Sequence, residues 1–541
     1  MDYKKRCQYL EERIKHLNLI GIALSTEENL NKLFEMIMSE AKHITNADGR
    51  TLYMKTENNK QLKFEILLND SMKSAMGGTS GNEVTLPPVE LFHEKNKPNQ
   101  SNVAAYVAHT GKTVNINDAY KEEGFDFSGT KKFDKITGYR SQSFLTVPLK
   151  NHEDEIIGVM QLINSIDDKT GKTTSFSLEM QSQIESLCSQ GAVALTNKRL
   201  VKELKKLFEA FIKLIARAID EKSPYTGGHC ERVPEITMML AEAVEKVDYG
   251  KYKDFSMTEE EKYELFIAGW LHDCGKVATP PHVVDKGTKL ETIFDRIEII
   301  KTRFEVIKRD AEIQCLKKKI ELLEKGLNIN NDLDNELKEK IDTINDEQAF
   351  IEKANIGGEF MPDKEQEKIK DISEKYVWNN NGKKETFLSD LEVENLCIPK
   401  GTLTADEREQ INDHIRITID MLEQLPYPKH LKNVPEFAGG HHEKLDGTGY
   451  PKGLKADEMS VQAKMMAIAD IYEALTAADR PYKDGKKLSK AMRIMGFMKN
   501  EYEIDADLFE IFVKEGVYKK YANKYVEKDQ IDVVDEKSVL N

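Results

Sequence analysis

The sequence is poor in cysteine. It has six thiols in 541 residues (Cys7, Cys188, Cys230, Cys274, Cys315 and Cys397), and no two form a CxxC pair. That spacing excludes a thiolate zinc knuckle and a disulfide framework, and it reads as the reduced thiols of a cytoplasmic protein. No apolar run approaches the ~18–20 residues of a membrane-spanning helix, and no signal-peptide pattern precedes residue 20. Positive charge is not in excess. Lys and Arg total 79 against 94 Asp and Glu, a net charge of −15, which argues against a nucleic-acid polymer as partner. A small anionic substrate stays compatible, because bound cations set the local field. What the chain does have is length and charge. At 541 residues it exceeds one ordinary core, and 39% hydrophobic content is enough for globular folding. Two or three domains are expected.

Residues 1–17 are charged and carry Leu10, Ile14 and Leu17 at helical spacing, the pattern of a short amphipathic lead helix. From 18 to 200 the pattern is α+β. A helix over 30–44 turns Leu30, Leu33, Ile37 and Ala41 to one face. Strand-like runs follow at 51–54 and 62–68, then a Gly-rich stretch at 76–81 and a helix at 104–109. Short strands at 113–116, 144–149 and 155–164 precede a helix that starts near 177. Between 177 and 222 the one breaker is Gly191. Ile184, Leu187, Ala192, Leu195, Leu200, Leu204, Leu207, Phe211, Leu214 and Ile215 form a helical stripe. This predicts a long helix, with 201–222 as linker, that joins two domains. Parallel pairing with a second copy would make a homodimer, and packing within one chain is the alternative.

Residues 223–520 read as all-helical. A Lys/Glu-dense insertion at about 290–395 interrupts them, and there Ile293, Ile297, Ile300, Phe304 and Ile307 alternate spacings of four and three. The spacing predicts exposed, coiled-coil-like helices in a hairpin. Thr404 followed by Glu407 is a capping box that opens a helix bearing His414. Helices at 461–478 and 487–499 follow, and 521–541 reads as a fraying tail.

The densest chemistry is the run His441-His442-Glu443-Lys444-Leu445-Asp446-Gly447-Thr448-Gly449-Tyr450-Pro451. Adjacent side chains on a helix diverge by about 100°, so neighbouring imidazoles can reach two ions of one cluster. A second cluster, Leu271-His272-Asp273-Cys274-Gly275-Lys276, lies upstream. The imidazoles and carboxylates of these two clusters are ligand types that suit Fe, Mn, Zn or Ni.

His272-Asp273 and Gly449-Tyr450-Pro451, together with Tyr225-Thr226-Gly227-Gly228-His229, Ala469-Asp470 and Arg480-Pro481-Tyr482-Lys483, resemble the HD-GYP family of HD-domain metal phosphohydrolases. The resemblance covers roughly 215–287 and 398–520. Further upstream, the segment 114–120, then Thr137-Gly138-Tyr139-Arg140, then 157–164 resemble a GAF domain, and most of all the cyclic-nucleotide-binding ones. Asn164 and Phe176 fit that subgroup. Ser165 stands in place of its Lys, and Met180-Gln181 in place of its acidic pair. A small-molecule effector and a ligand-free packing role therefore both stay open for this domain.

The implied architecture is a multidomain chain. An α+β GAF sensor precedes an all-α HD-type domain with a long helical insertion. By resemblance, Asp273 bridges two divalent transition-metal ions, Fe or Mn first, with Zn or Ni as alternatives. His229, His272 and Asp470 hold one ion, and His414, His441 and His442 hold the other. Lys276 acts on the phosphate, and Arg480 and Lys483 bind substrate. Tyr225 stands where three-metal members carry Glu, which favours two metals. The implied reaction is hydrolysis of a cyclic dinucleotide, cyclic di-GMP first. The alternatives are a cyclic mononucleotide, a mixed cyclic dinucleotide, and a catalytically silent GAF-based receptor.

Overall fold

The computed structural model describes residues 19–541 except 25, 28, 94–95, 223–227, 329–330, 359, 381 and 479–484. The lead helix expected at 1–17 lies outside the described residues. The chain divides after Leu207 into two compact units.

The first unit is α+β. Helix α1 (Leu30–Thr45) opens with Asn29, whose side chain accepts from the backbone N–H groups of Asn31 and Lys32. It buries Leu33, Phe34, Ile37, Met38 and Ala41, while Leu30 stays exposed. Strands β1 (Ala47–Lys55), β2 (Gln61–Asn69) and β3 (Ser74–Gly77) follow. Then come α2 (Val103–Thr110), β4 (Val114–Ile116), α3 (Ser128–Thr137), β5 (Phe144–Lys150) and β6 (Ile156–Ile166). The strands make one antiparallel sheet in the order β3-β2-β1-β6-β5-β4. The central strand β1 is buried from Ala47 to Tyr53, which marks a sheet covered on both faces. On one face α1 packs with Ile184, Leu187, Cys188 and Ala192 against Leu52, Ile66, Met160 and Leu162. On the other, α2 packs on Tyr53, Leu62 and Val159. Helix α3 was not legible in the sequence, because Asp134 is its one buried residue and it has no apolar stripe to read.

Helix α4 runs unbroken over Leu178–Asp220. The stripe read from the sequence divides into a buried part and an exposed part, and three residues outside it are buried as well. Ile184, Leu187, Ala192 and Leu195 join the core of the first unit. Ile212, Ala216 and Ile219 join the core of the second. Leu200, Leu204, Leu207, Phe211, Leu214 and Ile215 are exposed.

The second unit is helical, with α5 (His229–Val244), α6 (Glu259–Leu271), and a 3-10 turn over Cys274–Ala278. The insertion then supplies α7 (Ile297–Glu324), α8 (Asp332–Asn355), α9 (Asp363–Lys375), a strand pair at Val377–Asn380 and Lys383–Thr386, and α10 (Asp390–Leu396). Next are α11 (Ala405–Glu423), α12 (Val434–Gly439), α13 (Val461–Thr476), α14 (Leu488–Asn500), α15 (Ala506–Lys514), α16 (Val517–Tyr525) and α17 (Glu536–Leu540). The capping box expected at Thr404 and Glu407 is present.

Two expectations are corrected. The insertion is a small subdomain with its own core, not a bare exposed hairpin. Ile297, Ile300, Phe304 and Ile307 bury against Ile344, Ile351, Ile369, Ile372 and Phe387, and only Ile293 of the predicted stripe is exposed. Its two ends are stapled. The buried Lys289 ammonium donates to the carbonyls of Leu396 (2.9 Å) and Ile398 (2.7 Å), and Lys286 donates to Asn395 (2.7 Å) and Glu407 (2.7 Å). The second correction concerns the last twenty residues, which pack rather than fray. Val539 is buried beside Gly496, and Gln530 donates to the carbonyls of Thr476 and Lys486.

Candidate metal centre

The expected donors sit at helix ends, on inner helix faces, or in the turns that follow helices. His229 opens α5, after the glycine cap Gly228. His272 closes α6, with Asp273 next in the chain. His414 lies inside α11 and Asp470 inside α13. His441 and His442 stand in the turn after α12, not on a helix, so the expected helical divergence does not apply to them; their ring centroids are 4.2 Å apart. Two glycines let the backbones close in. A Cβ on Gly275 would lie 2.0 Å from the His414 carbonyl oxygen, so only glycine lets the turn after Asp273 reach α11. A Cβ on Gly449 would lie 2.2 Å from the Lys444 nitrogen. The buried carboxylate of Glu443 accepts from the N–H groups of Lys452 (2.7 Å) and Leu454 (2.9 Å), which folds the Gly-Tyr-Pro loop back so that Tyr450 stacks on His442 at 5.0 Å.

The donors converge into overlapping groups: His229, His272 and Asp470; His414, His441 and His442; and His272, Asp273 and His441. Asp273 Oδ2 lies 3.1 Å from His229 Nε2 and 3.3 Å from His272 Nε2, whereas Oδ1 lies 3.2 Å from His414 Nε2. Its two oxygens thus face different histidines. Asp470 Oδ1 is 3.3 Å from His229 Nε2.

The donor set fits metal. His272 Nδ1 donates to the Gly269 carbonyl (2.7 Å), His441 Nδ1 to that of Ala438 (2.6 Å), and His414 Nδ1 to that of Ile411. Each acceptor is three residues upstream, and each bond aims Nε2 at the cluster. Among the described residues the buried Nε2 of His441 has no hydrogen-bond partner, and that of His414 faces only Asp273 Oδ1 at 3.2 Å. A buried polar atom left so is costly unless something else coordinates it. Burial lowers the pKa of His442 to about 4 and that of His441 well below its usual value, which keeps both imidazoles neutral as ligands. Burial alone would raise the Asp273 carboxyl, but Lys276 and His272 outweigh it and hold Asp273 well below the usual carboxylate range. Lys276 Nζ lies 2.6 Å from Asp273 Oδ2.

The sequence reading missed two supporting residues. Glu473 Oε2 accepts from His229 Nδ1 (2.5 Å), and its Oε1 accepts from Arg232 Nε (2.7 Å). Both were detectable in principle. Glu473 is three residues past Asp470 and Arg232 three past His229, hence on the same helix faces. Glu473→Gln is expected to weaken metal binding by about 10–100-fold, the usual effect of losing a carboxylate behind a ligating histidine. Competition with a chromogenic chelator measures this. Unchanged affinity would reduce Glu473 to packing.

The pKa shifts fix a pH dependence for the metal-free chain. His442 titrates near 6.5 when unfolded and near 4 when folded, so the unfolded state takes up its proton first. Stability is therefore lost as pH falls from about 6.5 to 4. His441 acts in the same sense. His229, raised well above its usual value by Glu473 and Asp273 against the opposing effect of burial, is charged in both states over this window and does not offset the loss. Urea midpoints in the presence of chelator should fall across that range. A flat profile would contradict neutral burial of the pair.

Arg480 and Lys483, expected to bind substrate, lie outside the described residues, as does Tyr225. In the first unit, Asn164 is a tether. Its side chain accepts from the N–H groups of Gln142 and Ser143 and donates to the Arg140 carbonyl, which fixes the loop into β5.

Comparison with known proteins agrees with this architecture. Residues 29–195 match the GAF domain and residues 391–508 match the HD domain. The chain carries a GAF domain followed by an HD domain. The HD match spans His414, His441, His442 and Asp470, and the fold brings His229, His272 and Asp273 to them from upstream of the insertion. Among curated relatives, a 3'3'-cGAMP-specific phosphodiesterase of Vibrio cholerae is 40% identical over 106 residues, 19% of this chain and 22% of the relative. A cyclic di-GMP phosphodiesterase of Pseudomonas aeruginosa is 41% identical over 95 residues, 17% and 22%. One of Thermotoga maritima is 37% identical over 98 residues, 18% and 26%. The chain thus spans about a quarter or less of the length of these relatives. An HD domain implies a divalent metal, and the groups above are its candidate ligands. Among the described residues, no helix is long and apolar enough to cross a membrane.

Proposed function

We propose that the chain is a metal-dependent phosphodiesterase that hydrolyses a cyclic dinucleotide, cyclic di-GMP first, to linear pGpG and/or GMP. The observation that carries this reading is the convergence of seven donor side chains, among them Asp273, whose two oxygens face different histidines. The donor set suits two ions, Fe or Mn before Zn or Ni. His229, His272 and Asp470 would hold one, His414, His441 and His442 the other, and Asp273 would span both. When bound, such ions polarise a phosphoryl oxygen and make nearby water more acidic. The chain's own residues do the rest. The Nδ1 bonds fix the imidazoles in place. Lys276, kept charged by Asp273 and Asp470 against the effect of burial, sets a cation where negative charge develops on the phosphoryl oxygens. Arg480 and Lys483 are proposed to grip the substrate phosphates.

Two Vibrio cholerae relatives named for 3'3'-cGAMP favour a second reading, a mixed cyclic dinucleotide as substrate, whereas a third is named for cyclic di-GMP. Intact donors and Lys276 speak against a catalytically silent receptor. Turnover of a panel of cyclic di-GMP, 3'3'-cGAMP, cyclic AMP and cyclic GMP tests the reading. A preference for a mononucleotide would overturn it. We further propose an effector at the GAF domain, placement in the cytoplasm, and a homodimer through Leu200, Leu204, Leu207, Phe211 and Leu214, whose spacing of 4, 3, 4 and 3 is that of a coiled-coil seam. A Leu207→Cys chain that gives no more covalent dimer under mild oxidation than the parent would contradict that seam.

A further inference from the structure

The longest helix of the insertion carries an apolar stripe that its own subdomain does not cover. Ile297, Ile300, Phe304, Ile307, Ala311 and Cys315 of α7 face inward. Ile313, Leu316, Ile320 and Leu323 lie on another face and are 46–60% exposed. Leu327, 53% exposed, extends the patch beyond a C-terminal turn in which the Gly326 N–H bonds to the Leu323 carbonyl and the Leu327 N–H to that of Leu322. A lone exposed leucine carries no information. A repeat of 3, 4 and 3 does, because it is the seam of a coiled coil. Ile313 and Ile320 fall at a positions, and Leu316 and Leu323 at d. Branched a residues with leucine at d favour parallel two-stranded pairs.

The flanking charges select the same partner and the same register. Glu312 and Lys319 occupy g positions, and Lys317 and Glu324 occupy e. In a parallel, in-register pair each g residue meets the e residue five places on in the other helix. The pairs are then Glu312 with Lys317 and Lys319 with Glu324, both of opposite sign. A slip of one heptad would set Glu312 against Glu324 and Lys319 against Lys317, both of like sign. Within one chain Glu312 pairs with Arg309 and Lys319 with Asp334, at 2.7 and 2.6 Å. Surface pairs of this kind hold little net stability and can exchange partners. The subdomain core already holds α7 helical, so pairing over two heptads need not nucleate a helix.

We propose that this face binds a second copy of the chain through a parallel, in-register coiled coil of α7 with α7. The surface is separate from the stripe on α4, and the proposal does not depend on the catalytic reading. The test is disulfide cross-linking of the full chain under mild oxidation, read on non-reducing gels. Ile320→Cys sets two thiols face to face across the seam. Lys318→Cys sets them at f positions, on the far side. Ile320→Cys should give a covalent dimer in several-fold higher yield than Lys318→Cys or the parent. Adding Glu312→Lys should lower that yield, and adding Lys317→Glu as well should restore it. Equal yields from the two cysteine positions, as expected if the stripe serves an unrelated protein, would overturn the proposal. Failure of the double reversal to restore the yield would overturn the parallel register.

Discussion

Alanine in place of Asp273 is expected to leave the chain without hydrolysis and with little bound metal. Asp273 is the one donor whose two oxygens face different histidines, at 3.1, 3.3 and 3.2 Å from the Nε2 atoms of His229, His272 and His414. Its loss removes a ligand from both proposed ions at once. It also leaves the half-buried Lys276 without the carboxylate at 2.6 Å, a second and smaller cost to stability. Asp273→Asn separates the two effects, since it keeps the volume and one oxygen. Metal content by plasma emission, with circular dichroism as a check on folding, is the readout. The alanine variant should hold a small fraction of the parent's metal, and the asparagine variant an intermediate amount. A folded Asp273→Ala chain with full metal content would refute the bridging role.

Lys276→Ala should behave differently. Lys276 contacts Asp273 through an ammonium, which cannot ligate a metal. Metal content should therefore stay near the parent's while kcat falls, on the order of 10²-fold or more if the ammonium stabilises charge in the transition state. KM should change less than kcat, because the interaction strengthens as charge develops. Unchanged kcat would make Lys276 a partner that positions Asp273 and nothing more. Loss of metal together with activity would place it in the scaffold of the cluster.

The cluster was legible in the sequence because His272-Asp273 and His441-His442 are dense in ligand-type residues and stand in motifs that resemble the HD-GYP family. That resemblance, and not residue type alone, singled out His229, His414 and Asp470, even across an insertion of about a hundred residues. Glu473 and Arg232 were missed: their spacing of three from Asp470 and His229 put them on the right helix faces, but only the fold shows that both meet at His229. Most strands and helices of the first unit followed from periodicity, but the short strand Ser74–Gly77 did not, since it runs into a stretch that reads as Gly-rich loop. The polar helix Ser128–Thr137 did not, since it buries only Asp134. In the insertion, spacings of four and three correctly marked helices. They could not show that Phe304 and Ile307 would find partners in Ile344, Ile369 and Phe387, far along the chain. The last residues looked frayed because their apolar content is low; Val539 and Gln530 tie them down through contacts that no periodicity records.

The central claim is that this cluster hydrolyses a cyclic dinucleotide. The most direct measurement is turnover of cyclic di-GMP by the purified full chain, after chelation and again after Fe(II) or Mn(II) is restored, with products separated by chromatography. The account predicts no turnover in the chelated protein and formation of linear pGpG or GMP once metal returns. A chain that rebinds metal yet leaves both cyclic di-GMP and 3'3'-cGAMP intact would contradict it.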